Sequence, residues 1–171
     1  MAADWPTKIF DQLKAGDIRQ MVYVPDAGHT DLINACIADP DMVTTSVSTE
    51  EEGIALLYGA WLGGDRGVML MQSSGVGNCP NMLASAITCR MPVLMLVTMR
   101  GEFGEFNPWQ NPMGQATGAV LQAMGTQIVR LDDAEQTEDI VRGAINMSFN
   151  GLAPLAVLIG QRMIGAKGFD Q

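Results

Sequence analysis

The chain has 171 residues, 47% of them hydrophobic and 17% charged, with a formal net charge of -9. That length and composition suit one folded domain with a sizeable core and exclude a disordered chain. The negative charge makes nucleic acid and anionic membrane surfaces poor partners. Cys36, Cys79 and Cys89 are odd in number and lack metal-ligand spacing, so a reducing compartment fits better than a disulfide framework. The N-terminus does not read as a signal peptide, and every apolar run is too short to span a bilayer. A soluble cytoplasmic protein is expected. Thirteen methionines suit either an adaptable core or a large apolar interface with a partner.

Lys8, Ile9, Phe10 and Leu13 have helical spacing behind Pro6, with Gly16 as a stop. Met21 to Val24 reads as a strand ended by Pro25. Thr30 to Ala38 reads as a helix closed by Asp39-Pro40, and Met42 to Val47 as a β-branched strand. Glu50 to Leu62 is a helix ended by Gly63-Gly64, and Val68 to Gln72 a strand. Ser73 to Asn78 reads as a loop and about Pro80 to Arg90 as a helix. Pro92 to Met99 carries the continuous apolar run of a strand covered on both faces. Arg100 to Gln115 reads as a long Gly- and Pro-bearing loop, a length that marks a functional or flexible segment. Ala116 to Met124 follows as a short helix, Gln127 to Leu131 as a strand, Glu135 to Phe149 as an amphipathic helix, and Leu155 to Ile159 as the last strand.

Strands alternate with helices throughout. The expected fold is α/β: one three-layer domain over 1–171, a mostly parallel six-stranded sheet with helices on both faces. Ligands in such folds sit at the carboxyl ends of strands. Pro25 to His29, Ser48 to Glu50, Gln72 to Asn78 and the segment after Met99 gather there.

The stretch Ser48-Thr49-Glu50-Glu51-Glu52-Gly53 is the most informative. Carboxylates are ordinary at a helix start. One aimed into a dry, packed site gains proton affinity and can do acid–base work. Glu50 is favoured over Glu51 and Glu52 by register, because Gly53 would then meet a ligand without a side chain. Three solvated glutamates are the plain alternative. Gly75-Val76-Gly77-Asn78 follows a strand and could cradle a phosphate. It lacks the third glycine of a dinucleotide site and the lysine of a P-loop, so a tight turn explains it equally. His29, the only histidine, titrates in a useful range but could equally be structural. No zinc set or Ser/His/Asp order is visible.

Taken together, these stretches with Met71-Gln72-Ser73-Ser74-Gly75-Val76-Gly77-Asn78, Arg100-Gly101-Glu102 and Asn111-Pro112-Met113-Gly114 resemble the pyrimidine-binding domain of thiamine diphosphate-dependent 2-oxo acid decarboxylases. Within that group the likeness is to sulfopyruvate decarboxylase alpha subunits and phosphonopyruvate decarboxylases, over nearly the whole chain. The resemblance implies the thiamine diphosphate-binding fold, lyase activity and a place in coenzyme M biosynthesis. It implies that Glu50 hydrogen-bonds the aminopyrimidine and activates the coenzyme for attack on the 2-oxo acid carbonyl, with loss of carbon dioxide. Pro25, Gln72, Ser73, Ser74 and Asn78 would join Glu50 around the coenzyme. Asp26, His29 and Gln115 would line the substrate cavity by family position. Arg100, at a strand end, is the local candidate for an anionic substrate tail, with a salt bridge to Glu102 or Glu105 as its plain alternative.

The family binds the diphosphate and Mg2+ through Gly-Asp-Gly on a second domain. This chain has Gly64-Asp65-Arg66-Gly67 and no Gly-Asp-Gly. A beta subunit is therefore expected to hold diphosphate and metal, in a hetero-oligomer with at least two of each chain. Such a subunit would turn over a small 2-oxo acid such as 3-sulfopyruvate only with its partner. A noncatalytic regulatory or binding module that kept the fold, and a nucleotide-binding protein using Gly75 to Asn78, are the competing readings.

Overall fold

A computed structural model describes residues 4–165; the first three residues of the N-terminus lie outside them. The elements are α1 (Trp5–Ala15), β1 (Ile18–Tyr23), α2 (Thr30–Ala38), β2 (Val43–Ser46), α3 (Glu50–Leu62), β3 (Arg66–Gln72), α4 (Pro80–Cys89), β4 (Val93–Thr98), α5 (Asn111–Ala123), β5 (Gln127–Leu131), α6 (Thr137–Gly151), β6 (Pro154–Ile159) and α7 (Gln161–Ile164). The six strands form one sheet in the order β2-β1-β3-β4-β6-β5. All five pairings are parallel, so the sheet is wholly rather than mostly parallel.

Strand alternation divides the core. Leu94 and Leu96 of β4, with Leu155, Val157 and Ile159 of β6, face α1, α2 and α6. Val93, Met95 and Val97, with Ala156 and Leu158, face α3, α4 and α5. A strand covered on both faces must be apolar at every position, and all of β4 and β6 is buried. Each such Leu, Ile or Val contributes roughly 1.5–3 kcal/mol on burial. Met21, Met42, Met69, Met71, Met95 and Met99 are buried as well, and Met82, Met91, Met113, Met124 and Met163 pack partly buried against the core.

Three segments differ from the reading of the sequence. The stretch taken as a loop to Gln115 becomes a 3-10 turn at Pro108–Gln110 and then α5, which starts at Asn111. Pro112 sits in the first turn of α5, where a missing N–H costs nothing. Ser73–Asn78 is a 3-10 turn rather than open loop. The short α7 was not anticipated.

The strand order reverses beside β1, which lies between β2 and β3. Chain segments therefore part on either side of β1 and leave a crevice at the strands' carboxyl ends. No helix among the described residues is long and apolar enough to cross a membrane.

Candidate active site

The three glutamates leave the start of α3 in three directions. Glu50 is buried, only 8% exposed, and Glu51 is exposed. Glu52 turns back, and its Oε2 accepts the Ser48 backbone N–H at 3.0 Å, serving as a cap. Thr49 at the N-cap position is extended and makes no side-chain cap. Glu50 Oε2 accepts a hydrogen bond from Asn78 Nδ2 at 2.7 Å.

Gly75 is what lets that carboxylate lie where it does. A Cβ there would stand 2.6 Å from Glu50 Cγ and closer still to Cδ and Oε1. Gly53, expected to meet a ligand without a side chain, faces the sheet: its Cβ would meet Met69 Cε at 2.9 Å and Val22 Cγ1 at 3.2 Å. Gly53 seats α3 on the sheet. Register pointed to Glu50 for a reason the structure replaces.

Glu50, Ser74, Gly75, Gly77 and Asn78 form one side of a cleft, and Trp109, Pro112 and Met113 the other. Its volume is about 610 Å³, within the range that holds a cofactor ring or small ligand. The second wall comes from the turn before α5 and its first residues. Gly114 brings α5 against the end of β4: a Cβ there would lie 2.7 Å from Gly101 Cα. The sequence offered a signal for this wall, since Trp109 stands between Pro108 and Pro112, but a stretch read as loop gave no facing for it.

The other expected site residues lie outside this lining. Ser73 is buried and joins the ends of β3 and β4: its Oγ accepts from Arg100 N at 3.0 Å and donates to Arg100 O at 3.1 Å. Gln72 Oε1 accepts from Ser74 Oγ at 3.3 Å and so supports a lining residue. Pro25 is exposed at the end of β1. Asp26 Oδ2 accepts from Thr98 Oγ1 at 2.6 Å. Gln115 Nε2 donates to Gly101 O at 2.8 Å, and the residue borders a different cavity with Met99, Gly118 and Arg130.

His29 and Arg100 are held by contacts of their own. His29 is 0% exposed, with Nε2 3.0 Å from Leu96 O and Nδ1 without a hydrogen-bond partner. Burial holds its imidazole below the ordinary value, against the opposing pull of Asp26. It is a core histidine. Arg100 is gripped by Glu105, with Nε 2.6 Å from Oε2 and Nη2 2.5 Å from Oε1. The Glu105 side chain is 2% exposed, and it also accepts from Gly101 N, Asn107 N and Gln161 Nε2. The hydrogen bonds from Arg100 lower the Glu105 carboxyl to about 2. A guanidinium held in this fork is committed to the loop and not offered to a ligand.

The cleft thus carries one oriented carboxylate, a hydroxyl, an amide and an apolar wall, with no Lys or Arg in its lining. Among the described residues no group of three His, Cys, Asp or Glu side chains is placed to hold a metal ion. The Cys79 thiol behind Glu50 is pushed up to about 12, chiefly by burial, and is inert.

No family model matches the chain. It is similar to the sulfopyruvate decarboxylase subunit alpha of Methanococcus maripaludis, 32% identical over 137 residues, covering 80% of this chain and 82% of that one. The same subunit from Methanothermobacter thermautotrophicus is 36% identical over 125 residues, 72% of this chain and 76% of that one. A phosphonopyruvate decarboxylase of Streptomyces hygroscopicus is 33% identical over 154 residues, 86% of this chain but 38% of that longer protein. The fold recurs in a 2-oxoglutarate:ferredoxin oxidoreductase from Magnetococcus marinus, with a TM-score of 0.76 over 96% of this chain and 29% of that one, at 16% identity. An identity near one third, sustained along most of both chains, means that this protein belongs to the family of sulfopyruvate decarboxylase alpha subunits.

Proposed function

We propose that this chain is the alpha subunit of a decarboxylase acting on 3-sulfopyruvate or a closely similar acidic 2-oxo acid, and that Glu50 activates the aminopyrimidine of thiamine diphosphate. The observation that carries the proposal is the Glu50 carboxylate, sheltered at the base of a cleft, anchored by Asn78 and lying against the bare backbone of Gly75. A carboxyl group so placed suits a hydrogen bond to a ring nitrogen. The Asn78 amide fixes Oε2, and Oε1 lies over Gly75. Trp109, Pro112 and Met113 give the cleft apolar surface beside that bond. When bound, thiamine diphosphate supplies the electron sink that allows the bond between carboxylate and carbonyl carbons to break.

The residues present fit the ring end of the coenzyme and not its diphosphate. A diphosphate needs cations or a bound metal, and the lining holds neither. The proposal therefore includes a beta subunit that carries diphosphate, Mg2+ and the cation for the acidic tail, with the cleft at the seam and at least two of each chain in the assembly. The unpaired Cys36, Cys79 and Cys89 support a reducing, cytoplasmic setting. Phosphonopyruvate is the second substrate reading, favoured by the Streptomyces relative.

The test is co-expression with a candidate partner bearing Gly-Asp-Gly. Sulfopyruvate, phosphonopyruvate and pyruvate are then assayed with and without thiamine diphosphate and Mg2+. Turnover requires both chains and the coenzyme, and Glu50→Gln lowers it by about a hundredfold or more. Wild-type turnover in the Glu50→Gln enzyme refutes the role of Glu50, and turnover by the isolated chain refutes the partner.

A further inference from the structure

Trp109 is 72% exposed, although indole is among the most rewarding side chains to bury. The other two tryptophans are packed: Trp5 is 6% exposed, and Trp61 lies against Phe149 with ring centroids 5.9 Å apart. Trp109 also stands on the wall of the Glu50 cleft. An exposed aromatic at a random surface position needs no explanation; this one lines the same cleft as Glu50.

Its backbone, by contrast, is held on both sides. Asn107 Oδ1 accepts from Trp109 N at 3.3 Å, and Gln110 N donates to Asn107 O at 3.0 Å. Asn107 N in turn donates to the buried Glu105 carboxylate at 3.1 Å. Gly101 packs against the next residues, where a Cβ would lie 2.8 Å from Asn111 Cα. The main chain fixes where the indole starts, and only its two side-chain torsions remain to be set.

The lining beside it can adapt. The side-chain direction of Gly75 is taken by the Glu50 carboxyl, and that of Gly77 by the Met113 thioether, 3.5 Å from where a Cβ would be. Met113 can yield at little cost, because thioether chains repack easily. A planar ring entering beside Glu50 would share the cleft with the Met113 thioether and the indole of Trp109.

We propose that Trp109 is the closing wall of this cleft: its indole swings from solvent onto a planar heteroaromatic ring held at Glu50. This rests on the coenzyme reading given above. It adds a binding residue that tightens the ring and shuts out water, distinct from the carboxylate that acts on it.

The experiment labels the full chain with 5-fluorotryptophan and assembles it with an unlabelled partner subunit. Fluorine spectra of Trp5, Trp61 and Trp109 are recorded before and after thiamine diphosphate with Mg2+, with Trp109→Phe assigning the signal. The Trp109 resonance moves and loses its solvent-isotope shift, while Trp5 and Trp61 stay. By calorimetry, Trp109→Ala binds the coenzyme about tenfold or more weakly, the usual scale for loss of one stacked aromatic. Trp109→Phe stays within about threefold, since a smaller ring still stacks. The melting temperature of Trp109→Ala matches wild type, which separates a binding role from a structural one. Coenzyme that binds while the Trp109 signal stays still and Trp109→Ala keeps wild-type affinity overturns this inference and leaves the role of Glu50 standing. Absence of any calorimetric binding overturns both.

Discussion

A methyl group added at Gly75 tests the site where it is tightest. In Gly75→Ala the new Cβ stands 2.6 Å from Glu50 Cγ, with Cδ and Oε1 nearer, whereas ordinary contact begins at 3.4 Å. Gly75 is not among the glycines with positive φ, so alanine meets no backbone strain and the whole effect falls on Glu50. The carboxylate must retreat by roughly 1 Å or carry an overpacking cost of about 1–3 kcal/mol. Retreat breaks the bond to Asn78, and a hydrogen bond to a charged group is worth about 1.5–3 kcal/mol. Either route costs a few kcal/mol at most, which a folded domain survives. Catalysis is less tolerant, since a group misplaced by about 1 Å loses on the order of a hundredfold in rate. The assay is decarboxylation by the assembled enzyme, with circular dichroism and thermal melting to show that the variant is folded. A folded Gly75→Ala enzyme with wild-type kcat would mean that the Glu50 carboxylate need not lie where the structure has it, and the functional reading would fail with it.

Two further outcomes follow from the same geometry. Glu105 is held at about 2, below its ordinary 4.5, so its contribution is complete above about pH 4.5 and is lost as the pH falls toward 2. That contribution is on the order of 3 kcal/mol. Urea unfolding of the isolated chain shows this falling limb in wild type and not in Glu105→Gln, which is already weaker at neutral pH by about 3–5 kcal/mol because a largely buried Arg100 loses its partner; equal stability at pH 7 contradicts the reading. On α3, a Cβ at Gly59 meets nothing within 4 Å, so Gly59→Ala stabilises the isolated chain through helix propensity by up to about 1 kcal/mol, read as a raised urea midpoint. A lowered midpoint shows a contact there that the structure lacks.

The order of strands and helices was legible because each element carries its own punctuation. Pro25, Asp39-Pro40 and Gly63-Gly64 end segments whose apolar runs are short and unambiguous, and β4 announces its two-sided burial in Val93 to Val97. Asn111-Pro112 was opaque for the opposite reason. Proline breaks a helix in its interior and begins one at its start, and the sequence does not say which turn it occupies until the fold places the 3-10 turn before it. The surroundings of Arg100 and His29 were not legible, because chain position alone does not say what a side chain meets. Arg100 does sit at a strand end, but its partner five residues on is brought back by a loop with positive φ at Gly101 and Gly104. His29 does follow β1, but it turns inward toward Leu96 rather than outward.

Which of three adjacent glutamates is buried was, in principle, written in the chain. Helix geometry sets successive side chains about 100° apart, so Glu50, Glu51 and Glu52 point in three directions. Glu50 lies on the stripe of Gly53, Ile54 and Leu57, all buried. Glu52 lies with Leu56 and Gly59, both exposed. The stripe is hard to see because α3 is apolar nearly all round: Ala55, Leu56 and Leu62 would each pass for core, yet Leu56 is 43% and Leu62 73% exposed. A helix with apolar residues on both faces gives no contrast from which to read an orientation. The contrast comes from tertiary structure: Met69 and Val22 press on Gly53, and the turn at Gly75 closes over Glu50. The carboxylate is sheltered because its helix rests on the sheet by the one face that carries it.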